Sequence, residues 1–74
     1  MYYQKCKNMD TGKIVNDLTA YWIDFKDCAT RFAVRSSVYD ELNYQDPKWM
    51  LKHDADSRRK IVDEITTRIM KKIR

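Results

Sequence analysis

The sequence predicts a small α+β domain in which an N-terminal β-hairpin packs on two long helices joined by a short helical connection. A turn sequence near the start separates two short segments, and apolar residues recur at helical spacing later in the chain. One glycine and one proline are too few for the turns of a many-stranded sandwich or barrel. With 74 residues there is room for a single core, which excludes multidomain enzymes.

The hairpin is predicted over residues 2–16, with strands at about 2–7 and 13–15. Asp10 can hydrogen-bond the backbone ahead of it, and Gly12 can take the left-handed conformation that closes a short loop. Because two strands alone are barely stable in water, the ribbon is expected to lie against a helix. If the turn sequence starts the first helix instead, the domain is an all-α helical bundle.

The first long helix is predicted over residues 18–34. One apolar stripe at intervals of three and four supports it, formed by Val15, Leu18, Trp22, Phe25, Ala29 and Phe32. On the other side Asp27 and Arg31 are four apart and are expected to pair. The competing prediction is a strand through residues 21–25, which are rich in β-forming types. The helical stripe persists for longer, so the helix is favoured.

Two short helices are predicted in the connection, at about 38–43 and 47–52. A serine pair ending at Ser37 would close the first long helix and cap the first short one. Asp46 followed by Pro47 starts the second, since aspartate caps helices and proline fits the first helical position. Three large side chains are expected to lock this connection onto the core: Trp49, Met50 and Leu51.

The last helix is predicted over residues 57–73. Asp54 and Asp56 precede it, and an apolar face follows at helical spacing, made of Ile61, Val62, Ile65, Ile69 and Ile73. The face is expected to cover the core. A further hypothesis is that it pairs with a copy of itself instead of with the first helix, which would make the chain a homodimer.

The formal net charge is +4, and the excess of cations lies at the two ends of the chain. Three of the cations, Arg58, Arg59 and Lys60, fall in the first turn of the last helix, where they oppose the helix dipole. We therefore interpret them as a candidate site for an acidic protein partner; the alternative to a binding site is a solvated cluster whose charge Asp54 and Asp56 offset. The alternative is DNA or RNA binding, with phosphates held by Arg58, Arg59, Lys60, Arg68, Lys71, Lys72 and Arg74.

Nine aromatic residues stand in the chain, and a core this small can take about five of them. We assign Trp22, Phe25, Phe32, Trp49 and one tyrosine to it. The tyrosines expected at the surface, where they bring contact area at low entropy cost, are Tyr2, Tyr3, Tyr39 and Tyr44. These four are candidate partner-binding residues.

Reactive chemistry is not indicated. His53 is the single histidine and lacks a second imidazole at metal-binding spacing. Cys6 and Cys28 belong to no C-x-x-C pair, and reduced, partly buried thiols are expected. The sequence has no glycine-rich phosphate loop, no secretory signal and no membrane-spanning run, so we expect no catalytic residue, no cofactor, no metal and a cytoplasmic location.

These observations predict a non-catalytic protein-binding regulator or inhibitor, similar in size and chemistry to small viral or phage accessory proteins. Surface tyrosines would dock the partner, and the basic cluster would supply charge complementarity. Nucleic-acid binding through the last helix is the alternative function.

Overall fold

Helices make up most of the residues that the computed structural model describes, which are residues 11–74. The α-helices are α1 (Thr11–Ile23), α2 (Arg31–Gln45), α3 (Trp49–Lys52) and α4 (Ala55–Ile73), and a 3₁₀ turn spans Lys26–Cys28. No residue in the described range belongs to a strand. The architecture is therefore a small helical bundle, and the predicted α+β fold is wrong.

The centre of the core is the apolar face of α4. Its buried residues recur at helical spacing: Val62, Ile65, Thr66, Ile69 and Ile73. The Thr66 hydroxyl donates a 2.7 Å hydrogen bond to the Val62 carbonyl oxygen, so the one polar side chain on this face is satisfied. The face is filled within the chain, which removes the reason for expecting a second copy to cover it.

α1 and α2 pack against α4, and each contacts α4 more extensively than they contact one another. The residues that close the core from these two helices are Ile14, Val15, Val34, Val38 and Leu42. α2 runs antiparallel to α4, because Arg31 near its start reaches Thr67 while Arg35 one turn later reaches Asp63. The limited contact between α1 and α2 leaves a groove between them.

The predicted second strand of the hairpin, residues 13–15, lies inside α1. Ile14 and Val15 face the core, and Leu18 packs beside them on the next turn. This spacing is helical, and burying it against α4 outweighs the turn preference of Gly12. The predicted first strand, residues 2–7, lies outside the described residues.

The predicted helix over residues 18–34 is broken in two. α1 ends at Ile23 and α2 begins at Arg31, with Thr30 as its N-cap: the Thr30 hydroxyl accepts a 3.1 Å hydrogen bond from the Ala33 N–H. The break allows α2 to turn back onto α4, and the competing strand over residues 21–25 does not form either.

The break also changes the side chains that the stripe was expected to bury. Phe25 is 50% exposed and Phe32 is 81% exposed, so the prediction that both belong to the core is wrong. Arg31 does not pair with Asp27; its guanidinium donates a 3.1 Å hydrogen bond to the Thr67 hydroxyl on α4. Only Ala29 keeps its predicted burial within the connecting segment.

α2 continues through the serine pair that was expected to end a helix, and it absorbs the predicted short helix at 38–43. The Ser37 hydroxyl donates to the Val34 carbonyl oxygen at 2.6 Å and accepts from the Trp22 indole N–H at 3.0 Å. A serine satisfied in this way is tolerated inside a helix. Ser37 therefore joins α1 to α2 instead of capping a new element.

The connection between α2 and α4 contains the predicted short helix, shortened to α3. One Asp46 carboxylate oxygen accepts a 3.1 Å hydrogen bond from the Lys48 N–H, and the other contacts the Lys52 ammonium at 2.8 Å. The Lys52 contact is the main cause of the lowered pKa of Asp46. Trp49 is buried and anchors α3, whereas Met50 and Leu51 are exposed, contrary to expectation.

Asp54 is the N-cap of α4, and its carboxylate accepts a 2.8 Å hydrogen bond from the Ser57 N–H. We expect Asp54→Ala to lower the free energy of unfolding by about 1 kcal/mol. Asp54→Asn is the matched control, because asparagine caps helices about as well as aspartate. Urea denaturation followed by circular dichroism measures both. Equal losses in the two variants would contradict the capping role.

The same hydrogen bond from Ser57, followed by the charges of Arg58 and His53, lowers the pKa of the Asp54 carboxyl. A carboxyl with a lowered folded-state pKa stabilises the fold above its unfolded pKa and loses that contribution as pH falls through the folded value. In the same urea experiment, stability should therefore fall below about pH 4. The fall should be smaller in Asp54→Asn.

Candidate functional site

The basic cluster predicted from the sequence, Arg58, Arg59 and Lys60, does not form one surface. The Arg58 guanidinium donates hydrogen bonds to the carbonyl oxygens of Met50, at 2.7 Å, and His53, at 2.9 Å. Met50 lies in the single turn of α3 and His53 is its C-cap, and in so short a helix these carbonyl oxygens lack a partner within the helix. Arg58 therefore has a structural role that the sequence did not reveal.

The other two members of the cluster differ. Arg59 contacts the Asp56 carboxylate at 3.2 Å, one turn earlier on α4. Lys60 is exposed and has no ion pair with any residue in the range 11–74. Of the predicted cluster, Lys60 is thus the cation with the most freedom to meet another molecule.

More cations are exposed on the rest of α4 and at the end of the chain. Residues Arg68, Lys71, Lys72 and Arg74 are all exposed, and none of them forms an ion pair with another residue of the described range. Lys60 and Lys71 lie on the same outer line of the helix, since their positions differ by about three turns. The positive surface is the outer face of α4 and not its first turn.

The four predicted tyrosines are distributed between different environments. Tyr44 is 81% exposed, as expected of a surface tyrosine. Tyr39 is half-buried; its ring lies edge-on to Trp49 at 6.1 Å between centroids, and the Arg35 guanidinium lies over it at 5.4 Å. Tyr39 is thus a packing residue. Tyr2 and Tyr3 lie outside the described residues.

The groove between α1 and α2 gathers aromatic and acidic side chains. It has a volume of about 460 Å³ and is lined by Leu18, Tyr21, Trp22, Ser37, Asp40, Glu41 and Tyr44. None of these lining residues is basic. It is formed by α1 and α2 alone, so it opens away from α4.

The aromatic side of the groove is held in place by direct contacts. Trp22 is half-buried, and its indole N–H is fixed by the Ser37 hydroxyl at 3.0 Å. The Tyr21 ring meets Trp22 edge-on at 5.1 Å between centroids, and Phe25 lies 5.1 Å from Tyr21. Tyr21 is nevertheless 54% exposed. The ring cluster is ordered by its neighbours and still presents apolar surface to solvent.

The acidic side of the groove comes from successive residues of α2. Glu41 accepts a 2.9 Å hydrogen bond from the Gln45 side-chain amide, a neutral donor that leaves the carboxylate charge uncompensated. Asp40 is exposed and has no ion pair within residues 11–74. The groove therefore carries a local negative charge, the opposite of the sign predicted for the partner-binding site.

One residue of this groove, Tyr44, was among the predicted site residues, whereas Trp22 was assigned to the core. Tyr21, Asp40 and Glu41 were not singled out as site residues. One sequence signal could have indicated the groove. Thr30 is a helix-capping residue type that follows two aspartates, Asp24 and Asp27, and a capping residue there indicates that a new helix begins. A break there folds α2 back beside α1.

The remaining candidates for chemistry are isolated. His53 packs its ring 5.7 Å from Trp49. The Cys28 thiol is exposed, where a partly buried thiol was expected, and Cys6 lies outside the described residues. Across residues 11–74 no group of three or more His, Cys, Asp or Glu side chains could hold a metal ion. No helix in that range is both long and apolar enough to cross a membrane.

Comparison of the chain with protein-family models, with curated proteins and with solved structures found no match.

If Arg58 acts as a structural link between α3 and α4, Arg58→Gln should lower the free energy of unfolding by about 1 kcal/mol, because two charge-assisted hydrogen bonds are lost at a partly exposed site. Lys60→Gln removes the same charge from an exposed site and should change stability by less than about 0.5 kcal/mol. Thermal and urea unfolding measure both. Equal stability of the two variants would contradict the link.

Proposed function

We propose that this protein is a non-catalytic protein-binding module that docks its partner in the groove between α1 and α2. The observation that carries the proposal is the grouping of Tyr21, Trp22 and Tyr44 along one groove. Tyrosine and tryptophan are enriched where proteins bind proteins, because they contribute a large contact area and lose little side-chain entropy.

The arrangement of the groove supports docking in a further way. Trp22 is fixed by Ser37, and Tyr21 is braced by Trp22 and Phe25, so these rings are ordered before a partner arrives. Binding to a preorganised surface loses less conformational entropy than binding to a disordered one. Phe32 and Leu51 are as exposed as Tyr44, but they do not line the groove.

Nucleic-acid binding is the second candidate, and the outer face of α4 is the observation that favours it. Lys60, Arg68 and Lys71 are exposed there without an ion pair in the described part of the chain. Cations of this kind can neutralise phosphates and release counterions. Glu64 interrupts the positive surface.

The protein-binding proposal predicts that Tyr21→Ser with Tyr44→Ser abolishes capture of protein partners from nuclease-treated lysate. Each substitution removes a ring from the groove without opening the core. The captured proteins should be identified by mass spectrometry with the wild-type chain, and each should be depleted at least about tenfold in the variant, since losing two anchor rings costs more than about 1.4 kcal/mol.

The matched control is Phe32→Ser with Leu51→Ser, which removes two equally exposed large apolar side chains outside the groove. Circular dichroism and thermal unfolding check that both double variants are folded. Capture that survives in the groove variant, or that is lost equally in the control, would contradict the proposed function.

The nucleic-acid candidate predicts binding of DNA or RNA at low salt, with a steep salt dependence. Lys60→Ser with Lys71→Ser should lower the log–log slope against salt by about 2 for duplex DNA. Lys26→Ser with Lys48→Ser, which removes the same charge elsewhere, should leave the slope unchanged. Fluorescence anisotropy with labelled duplexes measures it, and no binding at low salt removes this candidate.

A further inference from the structure

We infer that the groove between α1 and α2 accepts an arginine-bearing segment of a partner protein. This inference rests on the proposed protein-binding function and names the chemistry of the partner. It reverses the sign expected from the overall charge, since the chain is basic as a whole and the sequence suggested an acidic partner.

The charges in the groove are the first argument. Asp40 and Glu41 lie on the same wall, and no cation of the described residues pairs with either of them. Asp24, Asp27 and Glu64 are also exposed without an ion pair in the described residues, but none of them lines the groove. The groove therefore offers two acceptors that an incoming cation can satisfy.

The aromatic rings are the second argument. A cation is attracted to the face of a tyrosine or tryptophan ring, and a guanidinium both stacks on such rings and donates in a fork to a carboxylate. Tyr21, Trp22 and Tyr44 line the groove together with the acids. Arginine combines both contacts better than lysine, whose ammonium is a compact and strongly hydrated charge.

The molecule contains a filled example of the same arrangement. The Arg35 guanidinium contacts the Asp63 carboxylate at 2.9 Å and lies over the Tyr39 ring at 5.4 Å. Arginine, carboxylate and tyrosine together join α2 to α4. The groove presents the carboxylate and the rings without the arginine, so a partner side chain can complete the set.

The test uses a short alanine-based peptide carrying two arginines one helical turn apart, with lysine and glutamine versions of the same peptide. Binding to the ¹⁵N-labelled full-length chain is followed by NMR. The arginine peptide should shift the backbone amides of Tyr21, Asp40 and Tyr44 and the indole N–H of Trp22. The lysine peptide should bind more weakly, and the glutamine peptide should give no saturable shift.

Asp40→Asn with Glu41→Gln should weaken binding of the arginine peptide by about three- to tenfold, as expected for two partly exposed charge contacts. The matched control is Asp27→Asn with Glu64→Gln, which gives the same net charge from exposed acids outside the groove and should bind like the wild-type chain. Circular dichroism checks that both variants fold.

Three outcomes overturn the inference: equal binding of the glutamine peptide, equal weakening in the control variant, and no shift at the groove with the arginine peptide. The protein-binding proposal is judged separately, by capture with the Tyr21 and Tyr44 variant. If the Tyr21 and Tyr44 variant loses its captured proteins while the arginine peptide does not bind, the groove binds proteins by apolar contact alone. If capture is unchanged, the proposed function itself fails.

Discussion

The apolar face of α4 determines how the rest of the bundle is arranged. A helix of 19 residues with a continuous buried face needs cover along its length, and neither α1, with 13 residues, nor α2, with 15, is as long. Both shorter helices therefore pack on α4, and they contact it more extensively than they contact one another. The open groove between α1 and α2 follows from this unequal packing.

The free energies involved indicate that burial of the apolar face of α4 provides most of the stability. The polar contacts determine how α2 is aligned along α4. Each fully buried valine, leucine or isoleucine contributes about 1.5–3 kcal/mol, and Val62 and Ile69 on α4 are completely buried. The partly exposed ion pair between Arg35 and Asp63 contributes at most about 1 kcal/mol. Its contribution is geometric: it fixes which turn of α2 lies beside which turn of α4.

The sequence predicted best where local pattern and tertiary packing agree. In α4 the aliphatic spacing and the Asp54 cap indicate the same helix, and the structure has it at nearly the predicted position. Around Gly12 a turn-forming sequence overlaps a helical one, and packing on α4 favours the helix. The apolar spacing from Val15 to Phe32 continues across the break between α1 and α2. Only the capping residue Thr30 indicates in the sequence that a helix begins there. The groove is formed by side chains of both α1 and α2. No pattern within either segment alone could therefore predict it.

The opposite signs of the groove and of α4 determine which charge a partner experiences. At physiological ionic strength the Debye length is about 8 Å, while one helix with its side chains is about 10–12 Å across. Cations on the outer face of α4 are thus screened from a ligand in the groove, whereas Asp40 and Glu41 line it directly. The charge that a ligand meets in the groove is therefore set by these two carboxylates and not by the overall charge of +4. A chain that is basic as a whole therefore presents opposite charges on two of its faces.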